Sequence, residues 1–299
     1  MSISRRKFLR NISAGALVLG AGVPLSMCKS KEYEDLVILH TNDLHSQIDP
    51  FPKDHPKFPG MGGFARIAQK ISDIRKKHDN VLVLDAGDVF QGSPYFNFFK
   101  GELNYKLMSK MGYDASTFGN HEFDNGMTEL AKQAGKASFP FLNCNYGLDK
   151  TPLKDVHKKY IILKKGDAKI GITGVGIELK GLADPSNVKE LVYNDPLKSV
   201  EEVASYLKND KKCDMVICLS HLGFKYKYDK VSDLVMAGNT KNIDVIIGGH
   251  THTFMKEPVV MTNKHNKQVV VHQAGWGGLR LGALQFRVFL RDGKEPQLV

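Results

Sequence analysis

The stretch "VLVLDAGDVFQGSP", residues 81–94, decides the architecture. It opens on four consecutive apolar residues and breaks at Asp85-Ala86-Gly87-Asp88. A strand with one face in water would alternate apolar and polar residues. An unbroken apolar run suits a strand covered on both faces, as in an α/β sheet. Gly87 permits the sharp turn that would carry Asp88 off the strand end. Chemistry is therefore expected where the strand stops.

The same pattern recurs on either side. "LVILHT" (36–41), "DASTFGN" (114–120), "FPFLNCN" (139–145), "KIGITGVGI" (169–177), "CDMVICLSH" (213–221) and "IDVIIGGH" (243–250) all read as strands. Helical patterns lie between them. "GGFARIAQKISDIRKKH" (62–78) places Phe64, Ile67, Ala68, Ile71 and Ile74 on one face. "FNFFKGELNYKLMSKMG" (96–112) predicts a helix stopping at Gly112. In "NDPLKSVEEVASYLKND" (194–210) an Asp-Pro pair starts a helix that turns Val200, Val203, Ala204 and Leu207 inward. From Gln268 onward the pattern is purely β. With no internal repeat or low-complexity linker, the pattern predicts one α/β domain over residues 36–299.

The chain has 299 residues and a formal charge of +10, of which Arg5, Arg6, Lys7 and Arg10 belong to the extreme N-terminus. The remaining excess is that of a soluble protein. No basic stripe with interleaved aromatics occurs, which argues against nucleic-acid binding. "SRRKFLR" followed by "NISAGALVLGAGVPLSM" (residues 4–27) resembles a twin-arginine export signal, with Arg10 where Lys is usual. "LSMC" resembles a lipoprotein cleavage site, although Met27 stands where a small residue is usual. Residues 1–28 are therefore expected to be a signal, with Cys28 a lipidation site, and residues 29–35 a polar tether. An exported, periplasmic or envelope location, membrane-attached through a lipid, follows as an expectation. Cys144, Cys213 and Cys218 form no CxxC pair and are expected to be buried, inert thiols.

The strand ends carry a second pattern. The first ends in "TNDLHS", whose Asp43 and His45, two apart, are expected on one side of an extended segment. The others offer Asp88, then "GNHEFD" with Asn120, His121 and Asp124, then His221, then "GGHTHT" with His250 and His252. In an open α/β sheet the carboxyl ends of the strands form the ligand crevice. Oxygen and imidazole donors without thiolate suit Mn, Fe or Zn. The seven groups Asp43, His45, Asp88, Asn120, His221, His250 and His252 are too many for one tetrahedral ion and suit two divalent metal ions sharing a carboxylate. Two such ions facing two carboxylates leave a positive surplus that attracts phosphate.

"ILHTNDLHS", "DAGDVFQGSP", "GYDASTFGNHEFDNG", "SHLG" and "GGHTHT" resemble the calcineurin-like metallophosphoesterases, most closely the catalytic domain of bacterial 5'-nucleotidases. The resemblance runs from about Leu36 to Leu290. It implies a four-layer α/β/β/α sandwich. It also implies one metal held by Asp43, His45, Asp88 and His252, and a second by Asp88, Asn120, His221 and His250, with Asp88 bridging. His121 resembles the family's transition-state stabiliser or general acid, and Asp124 can hold its ring in place. No role carries over to Glu122, which is expected to be a solvated loop residue. His40 is expected to be packed, and His55, His78, His157 and His265 to be solvated.

The implied reaction is hydrolysis of phosphate esters, nucleotides first. Alternatives are cyclic phosphodiester, UDP-sugar or thiosulfate-ester hydrolysis, or a non-catalytic partner-binding lipoprotein. Nucleotidases of the family carry a C-terminal domain whose aromatic side chains clamp the base. The chain stops at Val299, so a separate C-terminal-domain protein is an expected partner. Phe90, Tyr95, Phe96 and Trp276 are the local candidates for stacking, with core packing the expected use of each Phe.

Overall fold

The computed structural model describes residues 31–290 and 293–299. The expected export signal, residues 1–28 with Cys28, lies outside the described residues. Among the described residues no helix is long and apolar enough to cross a membrane.

Strand β1 (Tyr33–Thr41) begins within the segment expected to be a tether, with Glu34 buried. From Leu36 to Leu39 it is apolar on both sides, and its alternate residues enter two different cores. Leu36 and Ile38 join Leu82 and Leu84 of β2 (Val81–Asp85) in one cluster, whereas Val37, Leu39, Val81 and Val83 join the other. The first cluster also contains Ile170 and Ile172 of β8 (Ala168–Gly176), Met215, Ile217 and Leu219 of β10 (Met215–His221), and Val245 and Ile247 of β11 (Val245–Gly248). It is the layer between two sheets. The second contains Phe64, Ile67 and Ile71 of α1 (Phe64–Arg75), and Val200 and Ala204 of the helix Pro196–Ser205. Helices thus cover the outer faces, giving the expected α/β/β/α order.

One sheet has seven strands, in order β15-β14-β1-β2-β3-β4-β6. Here β3 is Ala115–Thr117, β4 Phe141–Leu142, β6 His157–Lys158, β14 Gly282–Phe289 and β15 Gln297–Leu298. A second has six, β12-β13-β11-β10-β8-β7, where β7 is Tyr160–Lys165, β12 Val259–Thr262 and β13 Gln268–His272, and a small third sheet pairs β5 (Tyr146–Gly147) with β9 (Val192–Tyr193). The strands β1 to β4 run parallel, as do β8, β10, β11 and β13. All their carboxyl ends therefore face one way within each sheet.

Local expectations fare well with one exception. Asp195 caps Pro196–Ser205 by accepting from the Lys198 N–H at 2.9 Å. Cys144, Cys213 and Cys218 are free and buried. The exception is residues 96–112, which form two helices, α2 (Pro94–Phe99) and α3 (Glu102–Met111). The chain breaks between them because Lys100 and Gly101 are both left-handed. A β-carbon at Gly101 would lie 2.0 Å from the Phe90 ring, so only glycine fits. Gly112 ends α3 in the left-handed form, as its sequence position predicts.

Candidate active site

The strand-end segments converge. β1 delivers Asn42, Asp43 and His45, the turn after β2 delivers Asp88, and the segment after β3 delivers Asn120 and the 3-10 turn His121–Phe123. From the other sheet, β10 ends on His221 and β11 leads into His250 and His252. Three groups of potential ligand atoms result, each with all atoms within 4.8 Å of one another: Asp43, His45 and His252; His45, Asp88 and His121; Asp88, His221 and His250. His45 Nε2 is 2.9 Å from His252 Nε2, and His252 Nε2 is 3.3 Å from Asp43 Oδ1. Asn120 Oδ1 sits 2.9 Å from His250 Nδ1. His45 and Asp88 each belong to two groups, so the three form one continuous centre.

These side chains are presented by strained backbone. Asp43, His45, Asp88, His250 and His252 all have φ between 47° and 69°. Asp43 and His45 therefore reach the same side through left-handed turns, not by the pleat of an extended segment. Each such non-glycine residue costs on the order of 1 kcal/mol or more, which surrounding contacts must offset. Close packing supplies them: a β-carbon at Gly119 would lie 2.2 Å from Asp88 Oδ1, and one at Gly249 would lie 2.8 Å from the Ala86 carbonyl.

Ring orientation follows from hydrogen bonds to backbone carbonyls. His221 Nδ1 donates to Ala86 O at 2.7 Å, and His45 Nδ1 lies 3.3 Å from Phe90 O. Both bonds leave Nε2 to face the centre. His221 Nε2 is buried without an aligned hydrogen-bond partner, although it is 3.1 Å from Asp88 Oδ2. An atom in that state suits ligation. Burial works against charge on His221, but the Asp88 carboxylate outweighs it and lifts the imidazole to about 10. Burial, then the neighbouring His221, push His250 down to about 4. His45 is also lowered, chiefly by burial.

His121 lies beside the centre with its ring 5.4 Å from that of His45. Its Nδ1 is 2.8 Å from Asp124 Oδ2, and its backbone N–H donates to Asp88 Oδ1 at 2.8 Å. Burial disfavours the imidazolium, yet the bond to Asp124 and the charge of Asp88 together raise its pKa. The donor set contains nitrogen and oxygen only, and two divalent cations fit it.

A family model for the calcineurin-like phosphoesterases matches residues 36–254. The chain belongs to this family. It is 36% identical over 271 residues to the snake venom 5'-nucleotidase of Crotalus adamanteus, covering 84% of this chain and 45% of that protein. The NAD nucleotidase of Haemophilus influenzae superposes with a TM-score of 0.78 at 26% identity, covering 90% of this chain and 50% of that one. A 5'-nucleotidase precursor from Thermus thermophilus gives 0.76 at 29%, covering 89% and 54%. The chain spans about half the length of the curated relatives it matches.

In this calcineurin-like phosphoesterase, three carboxylates beyond the ligand candidates organise the centre, and sequence reasoning missed them. Glu122 is not a solvated loop residue: it is 1% exposed. Its carboxylate accepts from the backbone N–H groups of Asp88 (2.9 Å), Val89 (2.8 Å), Phe90 (3.2 Å) and Gly119 (2.6 Å). It thus ties the Asp88 turn to the Asn120 segment. Asp85 accepts from Thr41 Oγ1, Ser116 Oγ and the Gly87 N–H. Asp233 accepts from Ser220 Oγ and Gln273 Nε2, and Gln273 also grips the His250 loop through Gly249 O and the Thr253 N–H. The available signal for Glu122 was its position three residues after Gly119, the spacing at which a carboxylate reaches back to a turn's N–H. His40 is packed as expected, its Nε2 2.7 Å from His272 Nδ1. His265 is exposed, but His55, His78 and His157 are half-buried, not fully solvated. Phe90 and Phe96 are buried in the core.

Proposed function

We propose that this chain is the catalytic domain of a two-metal phosphomonoesterase of the 5'-nucleotidase kind, acting on nucleotides or related phosphate esters. The observation that carries this is the continuous centre in which Asp88 belongs to both the His45 and the His221 groups. Asp43, His45, His252 and Asp88 would hold one ion, and Asp88, Asn120, His221 and His250 the other. The chemistry two bound divalent cations supply is Lewis-acid polarisation of the phosphoryl group and a nucleophile at neutral pH. Mn, Fe and Zn suit the donors. His121 faces the same centre, and the bond from its Nδ1–H to Asp124 favours the imidazolium. That charge can stabilise the negative leaving oxygen. The backbone bonds from His45 and His221 hold their rings in one orientation, so little rearrangement is needed at the moment of reaction.

The test combines elemental analysis with phosphate release from AMP and p-nitrophenyl phosphate, and with the appearance of phosphomonoester products from a UDP-sugar and a 2',3'-cyclic nucleotide. Two metal equivalents and phosphate release that a chelator abolishes are expected. A chain with two metals bound that releases phosphate from none of these substrates would overturn the proposal.

A further inference from the structure

The sequence has one tryptophan, Trp276, and the structure puts it at the metal-ligand candidates. Its indole lies in an offset stack on His252, with ring centroids 5.8 Å apart and planes 17° from parallel. It meets His45 edge-on at 6.4 Å. Its loop is stapled to the end of β1: the Gly277 N–H donates to Asp43 O at 2.7 Å, the Ala274 N–H to Asn42 Oδ1 at 2.8 Å, and Asn42 Nδ2 to Gly275 O at 2.6 Å. Those bonds place Trp276 by the same residues that place Asp43.

Beyond Trp276 the wall continues. Phe58 packs edge-on to the indole at 6.3 Å, and Phe254 follows at 6.2 Å from Phe58. Buried Phe51 supports the indole from within, 5.5 Å away. Phe254 is 39% exposed and the His252 side chain 40% exposed, so the wall is open to solvent where it adjoins the centre. A partly exposed aromatic surface next to the most polar place in the molecule is an unfavourable use of apolar area unless a ligand covers it. Core packing accounts for Phe51 but not for the exposed part of the row.

We propose that Trp276, with Phe58 and Phe254, is the stacking surface for a planar aromatic ring carried by the alcohol of the phosphate ester, a nucleobase above all. This rests on the phosphoesterase function proposed above. A phosphate seated over the His45–His252 edge of the centre would leave its ester substituent within reach of the indole, and a flat ring there gains stacking that an aliphatic group cannot. The domain therefore carries aromatic selectivity of its own.

Two measurements on the metal-loaded full chain test this. Because Trp276 is the sole tryptophan, indole fluorescence reports on it alone. The non-hydrolysable methylene-phosphonate analogue of AMP is expected to quench it saturably, and inorganic phosphate is not. Equal responses to both, or none to the analogue, overturn the proposal, and this holds whether or not any ester is turned over. In turnover, Trp276→Leu is expected to lower the ratio of kcat/KM for AMP to that for ribose 5-phosphate about 10- to 100-fold, through KM, with Trp276→Phe restoring most of it. An unchanged ratio would mean that the indole only props His252. Absence of phosphate release by the unaltered chain would count against the phosphoesterase proposal, and the fluorescence result would still decide this one.

Discussion

The two ends of the same strands treat their carboxylates in opposite ways: half-buried at one end, fully buried at the other. At the amino ends, Asp114 accepts the Val83 N–H and pairs with Lys165 at 3.2 Å, and Asp244 accepts the Val216 N–H and pairs with Lys208 at 2.8 Å. Both of these anions have a cation supplied by the chain. At the carboxyl ends, Asp43, Asp85, Asp88, Glu122 and Asp233 are all buried, and among the described residues none pairs with lysine or arginine. Their partners are imidazoles, hydroxyls, side-chain amides and backbone N–H groups. Burying unpaired carboxylates is costly, so the amino end is built for stability and the carboxyl end for a guest that brings positive charge.

The sharpest way to break this contrast is to remove the shared anion. Asp88→Asn is expected to drop metal content below two equivalents and kcat/KM by at least about 10³-fold, since several kcal/mol of charge stabilisation go with the ions. Full metal retention in that variant would mean that Asp88 does not bridge. His121→Ala should keep both ions yet lose about 10²- to 10³-fold in kcat, with a smaller loss in Asp124→Asn. Wild-type kcat for His121→Ala on an ester with a poor leaving group would remove it from the chemistry.

Glu122→Gln tests the support beneath the ligands. A carboxamide cannot accept on both sides as the carboxylate does, so the Asp88 turn should loosen. A loss of about 10- to 100-fold in metal affinity or activity is expected, measured by competition with a chelator. Unchanged affinity would reduce Glu122 to a packing residue.

Acidity should separate metal-free from metal-loaded protein. Burial pushes Asp85 and Asp233 up to about 7 in the chain without ions. A carboxylate raised on folding favours the native state most below its unfolded pKa of about 4, and that advantage disappears as pH climbs through the folded value. In chelated protein these two groups should therefore lower stability between about pH 5 and 7. His250 and His272, which burial holds down to about 4, raise it over the same range, so Asp85→Asn and Asp233→Asn should each turn the slope upward. The loaded protein should show a flatter profile in parallel urea melts, and identical slopes would show that the ions do not compensate these groups. The smallest effect belongs to the amino end. Lys165→Met should cost only about 0.5–1 kcal/mol in a urea melt, because its pair with Asp114 is partly exposed, and kcat should not change.

Periodicity and turn chemistry act over a few residues, and whatever depended on them was legible in the chain itself. The unbroken apolar runs at 36–41 and 81–85 announced strands covered on both faces, and both are. Asp195-Pro196 started its helix, Gly112 stopped another, and the Asp, His and Asn residues at strand ends lie together in space. What depended on distant neighbours was not. The helix over 96–112 broke at Gly101 because the Phe90 ring fills the space a side chain would need. Glu122 looked like a loop residue because three of its four donors, Asp88, Val89 and Phe90, lie more than thirty residues away. The left-handed backbone at Asp43, His45, Asp88, His250 and His252 has no local signature, since these are not glycines. Only the assembled sheets supply the contacts that hold such conformations, so the sequence alone determined which groups could meet, and tertiary packing decided how each is aimed.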